Sequence, residues 1–185
     1  MTQKADHNDD EHENLAWLDL ETTGLDPVND IILEVGIIIT TKDLETVAQK
    51  SWLVGVPKDF YYQDMDPFVW AMHQDNGLWA ESVNTDTIIS DVSLEAAEFI
   101  VKNKAVGSPL CGNTISFDRS FLKAQTSLLQ CLHYRNIDVS TLKNVFKMHF
   151  PNVAPFEKPS DLPHRVLGDL ELTIAEYRYY LGLMR

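Results

Sequence analysis

The stretch Leu15-Ala-Trp-Leu-Asp-Leu-Glu-Thr-Thr-Gly-Leu-Asp-Pro27 runs from apolar side chains into carboxylates and then into turn residues. Its first part, Leu15 to Leu20, has the length and composition of a buried strand, and Thr22, Thr23, Gly24 and Asp26-Pro27 end it in a turn. Side chains alternate along a strand, so Asp19 and Glu21 project from one face while Leu20 points the other way. Two acids at the end of an apolar strand repel each other and lose hydration unless a cation lies between them, which makes a divalent-metal site one physical solution. Taken alone, the pair equally fits a solvated strand end before a turn.

Working outward, Ile31 to Thr40 is rich in isoleucine and valine and predicts a second strand. Thr46 to Val54 follows as its hairpin partner across the Thr41-Lys42-Asp43 turn. Pro57 to Asp66 is irregular, and Pro67 to Gln74 and Gly77 to Asn84 read as short helices. Ser93 to Lys104 reads as a helix capped by Ser93, with Leu94, Ala97, Phe99, Ile100 and Val101 apolar. Strand and helix then alternate: Ser108 to Gly112, Phe117 to Thr126, Asn136 to Val139, and Ser140 to Phe150 capped by Ser140. That alternation predicts an α/β protein with a parallel half-sheet. Pro151, Pro155, Pro159 and Pro163 interrupt regular structure before helical spacing resumes from His164 to Leu183.

A chain of 185 residues suits one domain of ordinary size. Its longest apolar stretch, Val35 to Ile39, contains Gly36 and is far too short to span a bilayer. Met1 to Asn14 carries Asp6, Asp9, Asp10, Glu11 and Glu13 against Lys4, unlike a secretory signal, and reads as a disordered acidic tail. Residues 15–185 form the expected single domain. Cys111 and Cys131 lack a zinc-type spacing and are expected to be reduced thiols, with a cytoplasmic location. A net charge of −13 argues against an extended basic groove for nucleic acid, an objection that weakens if the substrate is short.

Further chemistry-bearing residues lie downstream. Asp118 follows Gly112-Asn113-Thr114-Ile115-Ser116-Phe117, a loop that closes a strand and starts a helix, where an acid is also simply favourable. His164 and Asp169 are placed on the last helix, about 140° apart around its axis, so they share a broad face. Each of the three taken singly has an ordinary structural reading.

The combination is more specific: D-x-E with T-T-G-L, then G-N-x-x-x-F-D-R-x-F-L, then H-x-x-x-x-D. This order resembles the DEDDh exonucleases. Within them the chain is most similar to the oligoribonuclease family, through Asp19 to Pro27, Cys111 to Leu122, and His133-Tyr-Arg-Asn-Ile-Asp-Val-Ser-Thr-Leu-Lys143. The resemblance implies a ribonuclease H-like fold, with a five-stranded mixed sheet flanked by helices. It also implies two Mg²⁺ or Mn²⁺ ions about 4 Å apart. Asp19 would bridge them, Glu21 and Asp169 would complete one site, Asp118 would hold the second ion directly or through water, and His164 would act as general base.

The resemblance also implies where substrate binds. Leu25 and an aromatic ring, Phe68 or Trp70, would wedge against the bases. Thr114, His73, Tyr134 and Arg135 would cap a 5′-phosphate, the last two reaching in from the second subunit of a homodimer. Such a closed pocket would select length with few cations. Thr22 stands where methionine is common in the family, and Glu34 reads as structural. The implied activity is 3′→5′ hydrolysis of dinucleotides to few-nucleotide single-stranded RNAs. The alternatives are a general exonuclease on longer RNA or DNA ends, and a silent nucleic-acid-binding adaptor.

Overall fold

The computed structural model describes residues 12–159 and 164–184. The acidic tail expected over Met1 to Asn14 lies, through residue 11, outside the described residues. Asn14 itself is buried and donates from Nδ2 to the Asn103 carbonyl at 2.8 Å.

Five strands form one sheet: β1 (Leu15–Thr22), β2 (Ile32–Thr40), β3 (Thr46–Leu53), β4 (Pro109–Gly112) and β5 (His133–Asp138). Their order is β3-β2-β1-β4-β5, which puts β1 at the centre. The β1–β2 and β2–β3 pairs are antiparallel, whereas β1–β4 and β4–β5 are parallel. The two halves match the hairpin signals of the first fifty residues and the strand-helix alternation after residue 108.

Alternation along β1 divides the core. Ala16, Leu18 and Leu20 face one side, where they pack with Val35 and Ile37 of β2. Helices α3 (Ile89–Lys102) and α4 (Ser116–Gln125) cover that face through Ala96, Ile100, Phe121 and Leu122. Leu15 and Trp17 face the other side, against α5 (Val139–His149) and α6 (Val166–Leu183), through Phe146, Leu170, Ile174 and Tyr180. Trp17 is fully buried, and its indole N–H donates to Thr40 Oγ1 at 2.9 Å, so burying the ring leaves no donor unpaired. Asp19 and Glu21 continue the Leu15–Trp17 face and therefore point toward α6.

Gly36 lets α6 come close. It pairs with Asp19 across the sheet, and a Cβ at this position would fall 2.5 Å from Cβ of Val166, the first residue of α6. Only a residue without a side chain lets the helix start over β2 beside Asp19.

Three expected helix starts are corrected. The last helix begins at Val166, not at His164, because Arg165 is extended (φ −143°, ψ 137°) with its guanidinium held by Glu34 and Glu81. Thus His164 precedes the helix and does not share a helical face with Asp169. The third helix begins at Ile89, before Ser93, whose hydroxyl accepts from the Ser127 N–H at 3.2 Å and does not cap this helix. The fifth begins at Val139, and Asp138 is its cap, accepting from the Ser140 N–H at 3.0 Å. Two short helices, α1 (Pro67–Asp75) and α2 (Leu78–Val83), follow β3 and lie near the C-terminal end of β1.

Candidate active site

Oxygens of Asp19, Glu21 and Asp169 lie within 4.8 Å of one another. The strand's two-residue period supplies the first two, and the first turn of α6, admitted by Gly36, supplies the third. Asp118, in the first turn of α4, is buried behind them, and its Oδ1 accepts from the Leu20 N–H at 3.0 Å. Asp118 is thereby tied to backbone, and the oxygens that converge within 4.8 Å are those of Asp19, Glu21 and Asp169.

Crowding four acids here opposes their ionisation. Burial, then Asp118, Glu21, Asp169 and Glu34, push the Asp19 carboxyl well above the usual carboxylate range. Glu21 is pushed up to about 8 by burial and by Asp169 and Glu34, against the opposing field of Arg165. Asp118 is raised to about 7 by burial, although its backbone hydrogen bonds hold it down. Burial raises Asp169 too, while His164 and Lys158 oppose the rise. Such a set, all carboxylate oxygen, fits hard divalent cations, which would relieve the repulsion that raises these acids.

His164 approaches from the segment before α6, its Nδ1 3.9 Å from Asp169 Oδ2 and its side chain 64% exposed. Two neighbours that sequence reasoning did not single out fix its backbone. Asn76, which ends α1, donates from Nδ2 to the His164 carbonyl at 2.6 Å. Arg165 donates from Nε and Nη2 to the two oxygens of Glu34 at 2.9 and 3.1 Å, and also to Glu81 on α2 at 2.9 Å. Glu34 is therefore structural, as its place inside a strand implied. No local motif could have disclosed these pairs, which join residues 84 to 131 positions apart.

The implied substrate residues are placed unevenly. Leu25 and Phe68 are 80% and 77% exposed. Trp70 is half-buried against Tyr62, ring centres 5.4 Å apart, so Phe68 is the more accessible ring. The Leu25 loop is firmly held: Asp30 accepts from Thr23 Oγ1 at 3.0 Å and from the Asp26 N–H at 2.9 Å, and a Cβ on Gly24 would overlap that carboxylate. Thr114 is exposed with φ +57°, its N–H held by Asp138. His73 is a correction: it is fully buried, and its Nε2 donates to the Thr22 carbonyl at 2.9 Å. Its ring braces the end of β1, 3.9 Å from the Glu21 carboxylate, and presents no exposed surface.

Tyr134 and Arg135 are exposed at the start of β5. In the parallel register Asn136 is level with Leu110 and Ala16, so both lie before the level of Ala16. Asp19 is a further three residues along β1, roughly 10 Å at ~3.3 Å per residue, and two strands away. Within one chain they sit at the opposite end of the sheet from the carboxylates.

An exonuclease family model (RNase_T) matches residues 16–177, a span that contains all five residues of the carboxylate and histidine cluster. The E. coli exonuclease I–ssDNA complex superposes with a TM-score of 0.67 at 12% identity, covering 90% of this chain and 40% of that one. At that identity the likeness speaks for the fold alone. Closer in sequence are the oligoribonucleases of Bordetella pertussis, 40% identical over 171 residues (90% of this chain, 92% of the relative), and of Pseudomonas fluorescens, 37% identical over 171 residues (91% and 94%). That of Hahella chejuensis is 36% identical over 170 residues, covering 91% and 93%. The chain therefore belongs to the oligoribonuclease family of exonucleases.

Proposed function

We propose that this chain hydrolyses very short RNAs, from dinucleotides to a few nucleotides, in the 3′→5′ direction to nucleoside 5′-monophosphates with two divalent cations, Mg²⁺ or Mn²⁺. The observation that carries this reading is the convergence of Asp19, Glu21 and Asp169 within 4.8 Å, with Asp118 behind them and His164 beside Asp169. Asp19 would contribute to both cation sites, Glu21 and Asp169 would complete one, and Asp118 would serve the other directly or through water. Divalent cations held by these carboxylates would supply acidification of the attacking water and would offset charge on the phosphoryl and leaving oxygens. His164 takes the water's proton, and the Asp169 carboxylate near its Nδ1 steadies the imidazolium that forms. The water oxygen bonds to phosphorus as the bond from phosphorus to the 3′-oxygen breaks, and the departing 3′-oxygen takes a proton from solvent to become a hydroxyl.

Leu25 and Phe68, both exposed, supply apolar surfaces for the bases. Thr114, Tyr134 and Arg135 would close the far end around a 5′-phosphate. Tyr134 and Arg135 can do so only for another copy's site, since they lie at the wrong end of their own sheet; a homodimer is part of the proposal. Sedimentation that finds only a 21.1 kDa monomer would remove both from the site. Among the described residues no helix is long and apolar enough to cross a membrane, and Cys111 and Cys131 are free thiols, in keeping with the cytoplasmic setting we propose.

The test is a length series of 5′-labelled RNAs of about two, five and twenty nucleotides, compared by kcat/KM. The dinucleotide should be the best substrate by a wide margin. Equal values on the longest RNA would support a general exonuclease instead. An Asp19→Ala protein that releases nucleotide as fast as the parent in Mn²⁺ would place the activity outside this site.

A further inference from the structure

Six hydrogen-bonding contacts surround the peptide that carries His164, and none touches the carboxylate cluster. Asn76 Nδ2 holds the His164 carbonyl at 2.6 Å, while its own Oδ1 accepts from the Leu78 N–H at 3.0 Å, so the amide is oriented from both ends. One residue on, the Arg165 guanidinium makes four contacts: two to Glu34 at 2.9 and 3.1 Å, and two to Glu81 at 3.3 and 2.9 Å. Glu34 is 2% exposed and belongs to the sheet. Asn76 and Glu81 both belong to the α1–α2 pair, the segment that also presents Phe68.

From this geometry we infer that Asn76 and Glu81 are positioning residues for His164, and that α1–α2 holds the general base as well as offering a base platform. The inference rests on the function proposed above. His164 lies before α6 begins, so no helical hydrogen bonding fixes its backbone, and its ring is largely exposed. The contacts of Asn76 and Arg165 hold the chain on the C-terminal side of its Cα, at the His164 carbonyl and at the next residue. A base must meet its proton within hydrogen-bond reach, and displacements near 1 Å can cost on the order of 100-fold in rate. Glu81 is 46% exposed and Asn76 lies at a helix end, so neither is needed to fill the core. Arg165 is a poorer probe, because its removal would strand the buried Glu34 charge and threaten folding.

The experiment compares Asn76→Ala and Glu81→Gln in two backgrounds, the parent chain and His164→Ala, with steady-state kinetics on a dinucleotide and binding of that dinucleotide in Ca²⁺. In the parent background each substitution should lower kcat about tenfold with KM and binding within about twofold. In the His164→Ala background neither should lower kcat further, because residues acting through one group are not additive. Unchanged kcat in the parent background would overturn the inference, as would the same fold-loss once His164 is gone. An inactive parent chain would overturn the proposed function itself, whereas an active parent with indifferent variants overturns this inference alone.

Discussion

At the scale of residues, the site holds acids that resist ionising. Glu21 is raised to about 8, chiefly by burial and by Asp169, and Asp118 to about 7, chiefly by burial. An acid raised on folding binds protons more tightly in the folded chain. Its contribution to stability is complete below the ordinary carboxylate range and is lost as pH climbs through the folded value. The metal-free protein should therefore lose several degrees of Tm between about pH 5 and about pH 8, and saturating Mg²⁺ should abolish most of that loss. Melts in chelator and in Mg²⁺ check this; a Tm that rises with pH in chelator would contradict it. Asp19 and Glu21 were legible because a strand's period is two and they end an apolar run. Arg165, Glu34 and Asn76 were not legible as a set, since their pairing depends on which elements meet in space. The same is true of Glu176, a fully buried acid on α6 flanked by Lys143 at 3.6 Å and Lys158 at 3.3 Å, which in sequence looks like an ordinary surface charge.

At the scale of elements, the approach of α6 to β2 sets the distance between Asp169 and the strand carboxylates. Gly36→Ala would put a methyl 2.5 Å from Cβ of Val166, three residues before Asp169. Overpacking of this kind costs about 1–3 kcal/mol. The variant should lose several degrees of Tm and about tenfold or more in kcat, with Mg²⁺ affinity reduced in calorimetry. A variant of parental kcat and affinity would show that the helix start can shift without disturbing the ligands. The strands and most helices were legible within a few residues from apolar period and turn composition. The starts of α3 and α6 were not, because side-chain partners from elsewhere took the groups that sequence rules assign locally: Ser127 took the Ser93 hydroxyl, and Glu34 and Glu81 drew Arg165 out of the helix.

At the scale of the whole molecule, a charge of −13 and a site selective for short RNA make a joint demand. A protein that neutralises six to ten phosphates loses on the order of 10³-fold or more in affinity between about 50 and 200 mM salt. With one or two phosphates engaged, kcat/KM on a dinucleotide should change by less than about tenfold over that range. A steep slope would indicate a longer cationic path than the described surface supplies. The alternation along β1 has a further consequence for folding. Sliding β1 by one residue against its neighbours would turn Asp19 and Glu21 into the apolar layer beneath α3 and α4, and would expose Leu18 and Leu20 to the carboxylate side. The slipped chain would have to bury two charges among hydrocarbon side chains, a penalty far beyond the few kcal/mol that usually separate competing arrangements. The acids that make the site expensive to ionise therefore also penalise a mispaired sheet, so the residues proposed for the chemistry help to select the strand register that brings them together.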